Sequence, residues 1–129
     1  MSTIVALIGP IEYWWDTPED PNRFMSKQAV EYRNWRAGLN DWLVKTGYLV
    51  FRPHEAFKGP WDERAQIFND AMVQIADIVI CMRPRGIPGA GTDHELELAH
   101  KLNKMVLYAA PGYYLEQLET DLDIAKKCL

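Results

Sequence analysis

Short runs of apolar, β-compatible residues alternate along the chain with longer segments whose apolar positions recur every three or four residues. The short runs are almost entirely apolar and stop at glycine, proline or polar residues, which is typical of strands buried on both faces of a sheet. We therefore predict four strands, over residues 3–8, 48–52, 78–82 and 105–109.

The longer segments predict four helices, over residues 26–46, 61–76, 92–104 and 114–127. Gly47 stands where a glycine is expected just past the end of the first helix. The spacing predicts the buried faces of the first two helices. The buried face of the first helix is predicted to carry Tyr32, Trp35, Leu39, Trp42 and Leu43. That of the second is predicted to carry Phe68, Ala71, Met72 and Ile75.

Strands that alternate with helices imply parallel pairing, with right-handed crossovers that place helices on both faces of the sheet. The predicted fold class is α/β, a small doubly wound sheet of the flavodoxin-like or Rossmann-like kind, with about four to five strands. At 129 residues the chain is expected to form one domain, residues 1–129. Ligands of such sheets bind beyond the carboxyl ends of the strands, near the point where the strand order reverses.

Composition narrows the classes of function. Because 48% of the residues are hydrophobic and 25% are charged, a globular domain is favoured over a disordered chain. The formal net charge of -4 argues against binding to nucleic acid polymers, which requires a basic surface. No secretory signal or membrane span is visible, so we expect a cytoplasmic protein that does not bind membranes.

Two cysteines and three histidines give no sign of a metal site. Cys81 and Cys128 are far apart and lack CxxC spacing, which indicates neither a zinc site nor a disulfide framework. His94 and His100 have no third ligand at a metal-like spacing. We expect no metal and no cofactor.

The most distinctive segment, residues 83–95, leaves a buried strand, crosses a glycine-rich loop and opens a helix. Gly89 and Gly91 allow the backbone to approach a ligand, and the free N–H groups of the following helix, from Thr92 onward, can hold an anion or a sugar hydroxyl. Arg83 and Arg85 can add positive charge. The glycine pattern alone is also compatible with an ordinary turn.

Glu95 has two interpretations from the residues alone. Thr92 and Glu95 are spaced as a capping box, in which the glutamate only bonds back to the threonine N–H. Alternatively, Glu95 begins a stripe with Ala99 and Leu102 that faces the sheet, while Glu97 and Lys101 face solvent. The positive end of the helix dipole would then favour the ionised carboxylate that a nucleophile requires.

Several segments, in order, carry a resemblance to a known family. They are residues 4–11 (IVALIGPI), 53–54 (PH), 69–70 (ND), 76–80 (ADIVI) and 91–99 (GTDHELELA). Over most of the chain this pattern resembles the nucleoside 2-deoxyribosyltransferase family and its nucleoside 5′-monophosphate N-glycosidase relatives. The most specific part is the glycine loop followed by Glu-Leu-x-x-Ala and then Asn103-Lys104, where the family has Glu-Leu-Gly-x-Ala and Gly-Lys.

The resemblance implies that Glu95 attacks the anomeric carbon of a (deoxy)ribosyl group and releases the base. It also implies a carboxylate near the base, for which Asn69 and Asp70 are the matching residues. Helical spacing places Asn69 at the edge of the buried face and Asp70 outside it, so Asp70 is equally compatible with a surface charge.

Other candidate substrate-binding residues lie in loops at the same edge of the sheet. Gly9 and Ile11 open the long loop after the first strand, and Tyr13 and Trp14 offer rings on which a base could stack. The same aromatic residues are compatible with a cover over a helix or a subunit interface. His54 follows the second strand and could bond the base or a phosphate, although a structural histidine fits equally well.

The sequence departs from the family pattern at three places. Glu97 replaces a glycine of the motif, Gly89 stands where some relatives carry a serine or aspartate, and the tyrosine often found in strand one is absent. Tyr13 is a candidate to replace that tyrosine from the loop.

We therefore predict an enzyme that cleaves or exchanges the N-glycosidic bond of a (deoxy)nucleoside or its 5′-monophosphate through Glu95. Hydrolysis of a 5′-monophosphate is placed slightly ahead of base exchange because Arg83 and Arg85 offer phosphate partners. The alternatives are a non-catalytic nucleotide-binding or sensing module and a flavin-binding electron carrier, which the loops support little. The resemblance also implies a homo-oligomer with shared active sites.

Overall fold

The computed structural model describes residues 2–9, 27–52, 63–83 and 90–129. Its elements are, in chain order, β1 (Ile4–Ile8), α1 (Lys27–Thr46), β2 (Leu49–Phe51), α2 (Glu63–Ile75), β3 (Ile78–Cys81), α3 (Ala90–Lys101), β4 (Met105–Tyr108) and α4 (Leu115–Lys127). Every predicted strand and helix is present. The largest difference in bounds is at α3, which begins two residues earlier and ends three residues earlier than predicted.

The four strands form one parallel sheet in the order β2-β1-β3-β4. After β1 the chain moves to one side to form β2 and then crosses to the other side to form β3. The strand order therefore reverses between β1 and β3, the two central strands. Along this pair Val5 lies opposite Ile78 and Ile8 lies opposite Cys81, so both strands end at the same level.

Helices cover both faces of the sheet, which confirms the predicted α/β fold class. Val5 and Leu7 of β1 pack in one core layer with α1 and α4, which includes Leu43 and Leu122. The alternate residues of β1 pack in a second layer with α2 and α3. That layer is formed by Ala6, Ile8, Val73, Ala76, Val79, Cys81 and Ala99. Successive side chains of a strand point to opposite faces, so one short apolar run supplies both layers.

The predicted face of α1 is confirmed. Tyr32, Leu39 and Leu43 are buried, and the two tryptophans predicted beside them pack against the same layer. The helix ends at Gly47, whose φ of 108° lies in the left-handed region, and the amide of Tyr48 donates to the carbonyl of Leu43 at 3.1 Å. These features are those of a glycine-terminated helix.

The predicted face of α2 is wrong. The buried residues of this helix are Ala65, Asn69 and Val73, whereas Phe68 and Ile75 are exposed. Apolar residues occupy more than one side of α2, so their spacing alone does not select the buried side. The sheet contacts the side with small residues, where the helix axis can approach the strands closely.

Asp77 joins the end of α2 to the sheet. Its carboxylate accepts a hydrogen bond from the amide of Ile4 at 2.8 Å, and its own amide donates to the carbonyl of Ile4 at 2.8 Å. This two-way contact sets where β3 starts beside β1. None of the helices in the described ranges is long and apolar enough to cross a membrane.

Candidate functional site

The ends of β1 and β3 bring two predicted site segments together. The amide of Met82 donates to the carbonyl of Ile8 at 2.7 Å, which continues the pairing just beyond β3. Gly9 and Arg83 therefore begin their two loops from adjacent positions at the carboxyl edge of the sheet. This is the strand-order reversal at which doubly wound sheets bind ligands.

Gly9 is closely surrounded in this structure. A Cβ atom built at this position would lie 2.9 Å from the hydroxyl oxygen of Tyr32 and 3.2 Å from Cβ of Met82. Contacts that short require a neighbour to move, so packing of α1 and β3 is sufficient reason for a glycine here. A role of Gly9 in substrate binding stays a prediction.

Tyr32 brings a hydroxyl to the end of β1, and the sequence interpretation did not assign it to the site. The side chain is buried, and the guanidinium of Arg36 lies 5.4 Å from the centre of its ring. The sequence signal for Tyr32 was its place on the predicted buried face of α1, the helix that follows the strand without the family tyrosine. The expected substitute, Tyr13, lies outside the described residues.

Glu95 is buried in the first half of α3. It retains 7% exposure and lies on one helical stripe with the buried Thr92 and Ala99. Glu97 and Lys101 are exposed, as predicted. The prediction that Leu102 also faces the sheet is wrong, because α3 ends at Lys101 and Leu102 is exposed beyond it.

The capping-box interpretation of Glu95 does not fit the start of α3. In that motif the threonine stands just before the first helical residue. Here the helix begins at Ala90, so Gly91 and Thr92 both lie within its first turn. Thr92 therefore has helical neighbours on both sides and is not the N-cap, and the burial of Glu95 needs another explanation.

The electrostatic surroundings of Glu95 are unusual for a carboxylate. Its pKa is raised from 4.5 to about 7, mainly by burial and also by the negative charge of Asp70, while His94 acts in the opposite direction. The carboxyl group is consequently close to half ionised at neutral pH. Perturbed groups of this kind, located at a ligand-binding edge, are typical of functional sites.

Asp70 lies outside the buried face of α2, as predicted, and it contacts α3 from there. Its side chain is 26% exposed, and the Nε2 atom of His94 lies 3.0 Å from its Oδ2 and 3.1 Å from its Oδ1. Gln66, one turn earlier on α2, donates from Nε2 to Oδ1 at 2.9 Å. A residue treated only as a candidate metal ligand, His94, thus contacts a predicted catalytic residue.

Asn69 is more deeply buried than its predicted place at the edge of the helix face. It is 6% exposed, and its Oδ1 atom meets no hydrogen-bond donor within the described ranges. It lies in the same layer between sheet and helices as Thr92 and Glu95. An acceptor of this kind is available to a ligand donor, which is compatible with its predicted role in substrate binding.

Arg83 forms an ion pair with Asp93. The pair joins the end of β3 to the first turn of α3, across the loop that contains Arg85 and Gly89. The Arg83 side chain is 22% exposed, whereas the Asp93 side chain is 61% exposed. A phosphate held by Arg83 would have to join this pair or displace Asp93 from it.

Six other residues are predicted to bind substrate. They lie outside the described residues and are Ile11, Tyr13, Trp14, His54, Arg85 and Gly89. Among the residues that are described, no group of three or more histidine, cysteine, aspartate or glutamate side chains could hold a metal ion.

Comparison with known proteins supports the fold. No protein-family model matches the chain, and no curated protein matches it. A solved structure, a 2-desoxiribosyltransferase from Leishmania mexicana, is similar with a TM-score of 0.56 and 17% sequence identity. The match covers 84% of this chain and 64% of that protein, so this chain spans less than two thirds of its length. The α/β architecture is therefore shared with a deoxyribosyltransferase.

Proposed function

We propose that this protein cleaves or transfers at the N-glycosidic bond of a nucleoside or its 5′-monophosphate, with Glu95 as the nucleophile. The observation that carries the proposal is the buried Glu95 carboxyl group in α3, beside the strand-order reversal and within the electrostatic influence of Asp70. The fold shared with a deoxyribosyltransferase supports the same class of substrate.

The proposed reaction proceeds in two displacements. A carboxylate oxygen of Glu95 forms a bond to C1′ of the sugar while the bond from C1′ to the base nitrogen breaks, and the base leaves with that electron pair and gains a proton. Water, or the nitrogen of a second base, then displaces Glu95 from C1′. Two carboxylates near one anomeric centre serve this chemistry in retaining glycosidases.

The surroundings of Glu95 suit a group that alternates between free and bonded states. A pKa of about 7 leaves a substantial ionised fraction of the Glu95 carboxyl group at neutral pH. Burial excludes water from the carboxylate, which increases its reactivity toward a positively charged centre. Asp70 is the group proposed to contact the leaving base.

We place hydrolysis of a 5′-monophosphate ahead of base exchange. The reason is the pair of arginines, Arg83 and Arg85, whose guanidinium groups match a phosphate in charge and geometry. Because Arg83 is paired with Asp93, a phosphate bound there would share Arg83 with Asp93 or replace Asp93 as its anionic partner. The expected homo-oligomer belongs to the same proposal, and light scattering of the purified protein measures its molar mass.

The test is a base-release assay. The wild type is incubated with nucleosides and 5′-monophosphates of each base, with and without an acceptor base, and the products are separated by chromatography. We expect Glu95→Gln to lower base release by about 10³-fold or more, as for other covalent nucleophiles. Glu97→Gln is the matched control, since Glu97 is exposed on the same helix.

Two outcomes contradict the proposal. One is a wild type that releases no base from any substrate of the panel, and the other is full activity in the Glu95→Gln variant. Binding of a nucleotide without turnover favours a sensing module instead. That alternative assigned Glu95 to a helix cap, a role that the start of α3 at Ala90 does not support.

A further inference from the structure

His94 and Asp70 form a contact between helices that are separated in the chain. The single Nε2 atom of His94 lies within 3.1 Å of both carboxylate oxygens of Asp70, so an N–H on this atom is directed between them. A carboxylate accepts and does not donate when it is ionised, and His94 is the donor in this pair. His94 immediately precedes Glu95 in α3, so the contact adjoins the proposed nucleophile.

The orientation of the Asp70 carboxylate depends on this contact. The last torsion of an aspartate side chain is broad, so covalent geometry alone leaves the carboxylate plane free to rotate. Gln66 donates to Oδ1 only and cannot prevent this rotation by itself. The His94 contact to both oxygens adds the second constraint that defines the plane.

We propose that His94 is a positioning residue for Asp70, which it holds in the orientation that receives the leaving base. The inference rests on the proposed function. It concerns turnover more than folding, because the His94 side chain is 49% exposed and such ion pairs contribute little to stability.

The charges around the pair are consistent with this role. Glu95 is influenced by Asp70 from α2 and by His94 from its own helix, with opposite effects on its pKa. The buried Cys81 thiol at the end of β3 also lies within the influence of Glu95, and burial raises the pKa of that thiol. His94 thus opposes, at the Glu95 carboxyl group, the effects of burial and of Asp70.

The first experiment compares His94→Leu, which removes the donor, with His94→Gln, which retains an N–H donor near the position of Nε2. In the base-release assay, His94→Leu is expected to lower kcat by about 10- to 100-fold with a much smaller change in KM, as for a displaced group. His94→Gln is expected to recover most of this loss. His100→Leu, at the exposed last turn of α3, is the control and should retain wild-type kcat.

A double-mutant cycle tests whether His94 acts through Asp70. Once Asp70→Asn has removed the carboxylate, adding His94→Leu should produce no further loss of kcat, because the positioned group is gone. Losses that multiply overturn the inference. So does a His94→Leu variant with wild-type kcat, and so does an equal loss of kcat in the leucine and glutamine variants.

A measurement without turnover separates this inference from the proposed function. In NMR spectra, Asp70→Asn should shift the imidazole signals of His94 and leave those of His100 unchanged. Unshifted His94 signals overturn the inference. If the wild type releases no base, the proposed function fails and the positioning role of His94 fails with it. If the wild type is active and only the His94 predictions fail, the proposed function stands.

Discussion

At the scale of single residues, the burial of Glu95 has a cost in stability. Its carboxyl group is 7% exposed, and removal from water disfavours the charged form. Asp70 adds like-charge repulsion, which His94 offsets in part. A side chain chosen only for folding would be apolar or neutral at this position. The stability of the protein should therefore depend on the protonation of Glu95.

The sign of that dependence follows from the direction of the pKa shift. The pKa of Glu95 is about 7 in the folded chain and 4.5 as its ordinary value, so the folded state binds the proton more tightly. The resulting stabilisation is fully present below the lower value and is lost as the pH rises through about 7. The difference between the two values corresponds to about 3 kcal/mol.

We expect Glu95→Gln to be more stable than the wild type at pH 8, by up to about 3 kcal/mol, and nearly equal to it at pH 4.5. Glutamine has no proton to lose, so it keeps the neutral state over the whole range. Urea unfolding at several pH values measures the difference, with Glu97→Gln as the exposed control. A Glu95→Gln variant that tracks the wild type at every pH would show that the Glu95 pKa is ordinary.

At the scale of elements, α2 shows that apolar spacing does not always select the buried face. Ile67 is 68% exposed, whereas Val73 is fully buried against the sheet. The buried side of the helix carries Ala65 and Asn69 as well, so it is less hydrophobic in sequence than the exposed side. Close approach to the strands, rather than the total of apolar residues, accounts for the orientation.

Truncation of Val73 should cost more unfolding free energy than truncation of Ile67, although isoleucine is the larger side chain. Val73→Ala removes fewer atoms than Ile67→Ala but leaves a cavity in the core. We expect it to cost about 2 kcal/mol of unfolding free energy. Ile67→Ala removes more from an exposed site and should cost less than about 0.5 kcal/mol. Urea denaturation measures both. A larger cost for Ile67→Ala would show that this face of α2 is covered.

The end of α3 depends on a residue in the left-handed region. Asn103 has a φ of 56°, and the amide of Lys104 donates to the carbonyl of Ala99 at 2.9 Å. The family resemblance has a glycine at this position, and asparagine is the side chain that tolerates this conformation best after glycine. Asn103 therefore meets this backbone requirement without a glycine.

We expect Asn103→Gly to leave stability unchanged or to increase it slightly, and Asn103→Val to lower it by about 1–2 kcal/mol, because a branched side chain is strained at positive φ. Asn34→Val on the exposed face of α1 is the control, since asparagine and valine have similar helix propensities. Thermal unfolding of the three variants measures the effect. Equal costs for the two valine variants would contradict the left-handed assignment.

At the scale of the whole molecule, the strand order decides which segments meet. The reversal between β1 and β3 brings the residue after Ile8 beside the residues after Cys81, although more than seventy positions separate them in the chain. The same two strands separate the two core layers. Cys81 lies at this junction and is buried, whereas Cys128 follows α4 and is exposed.

The two thiols should therefore report on different events. With a thiol reagent at neutral pH, Cys128 should react at the rate of a free thiol, whereas Cys81 should react only when the central strands open. We expect the second reaction to be slower by at least about 10³-fold and to accelerate in urea. Cys128→Ser should abolish the fast reaction. Two fast reactions in native protein would show that the junction is accessible.

The sequence by itself determined the elements and the parallel α/β architecture, and it offered the inward direction of Glu95 as one of two interpretations. Strand and helix periodicity is a local property, and alternation of short apolar runs with helices allows few topologies. Gly47 and the buried face of α1 followed from the same local patterns. The chemistry assigned to Glu95 came from the resemblance and not from these patterns.

Only the tertiary structure decided the rest. The buried face of α2, the contact of Asp70 with His94 and the pairing of Arg83 with Asp93 depend on how helices dock on the sheet. Residues 24 positions apart, as Asp70 and His94 are, have no fixed distance in the sequence, because each helix can rotate about its axis until the core selects one packing. Local periodicity specifies which residues share a face of a helix, and packing specifies which face is directed to the site.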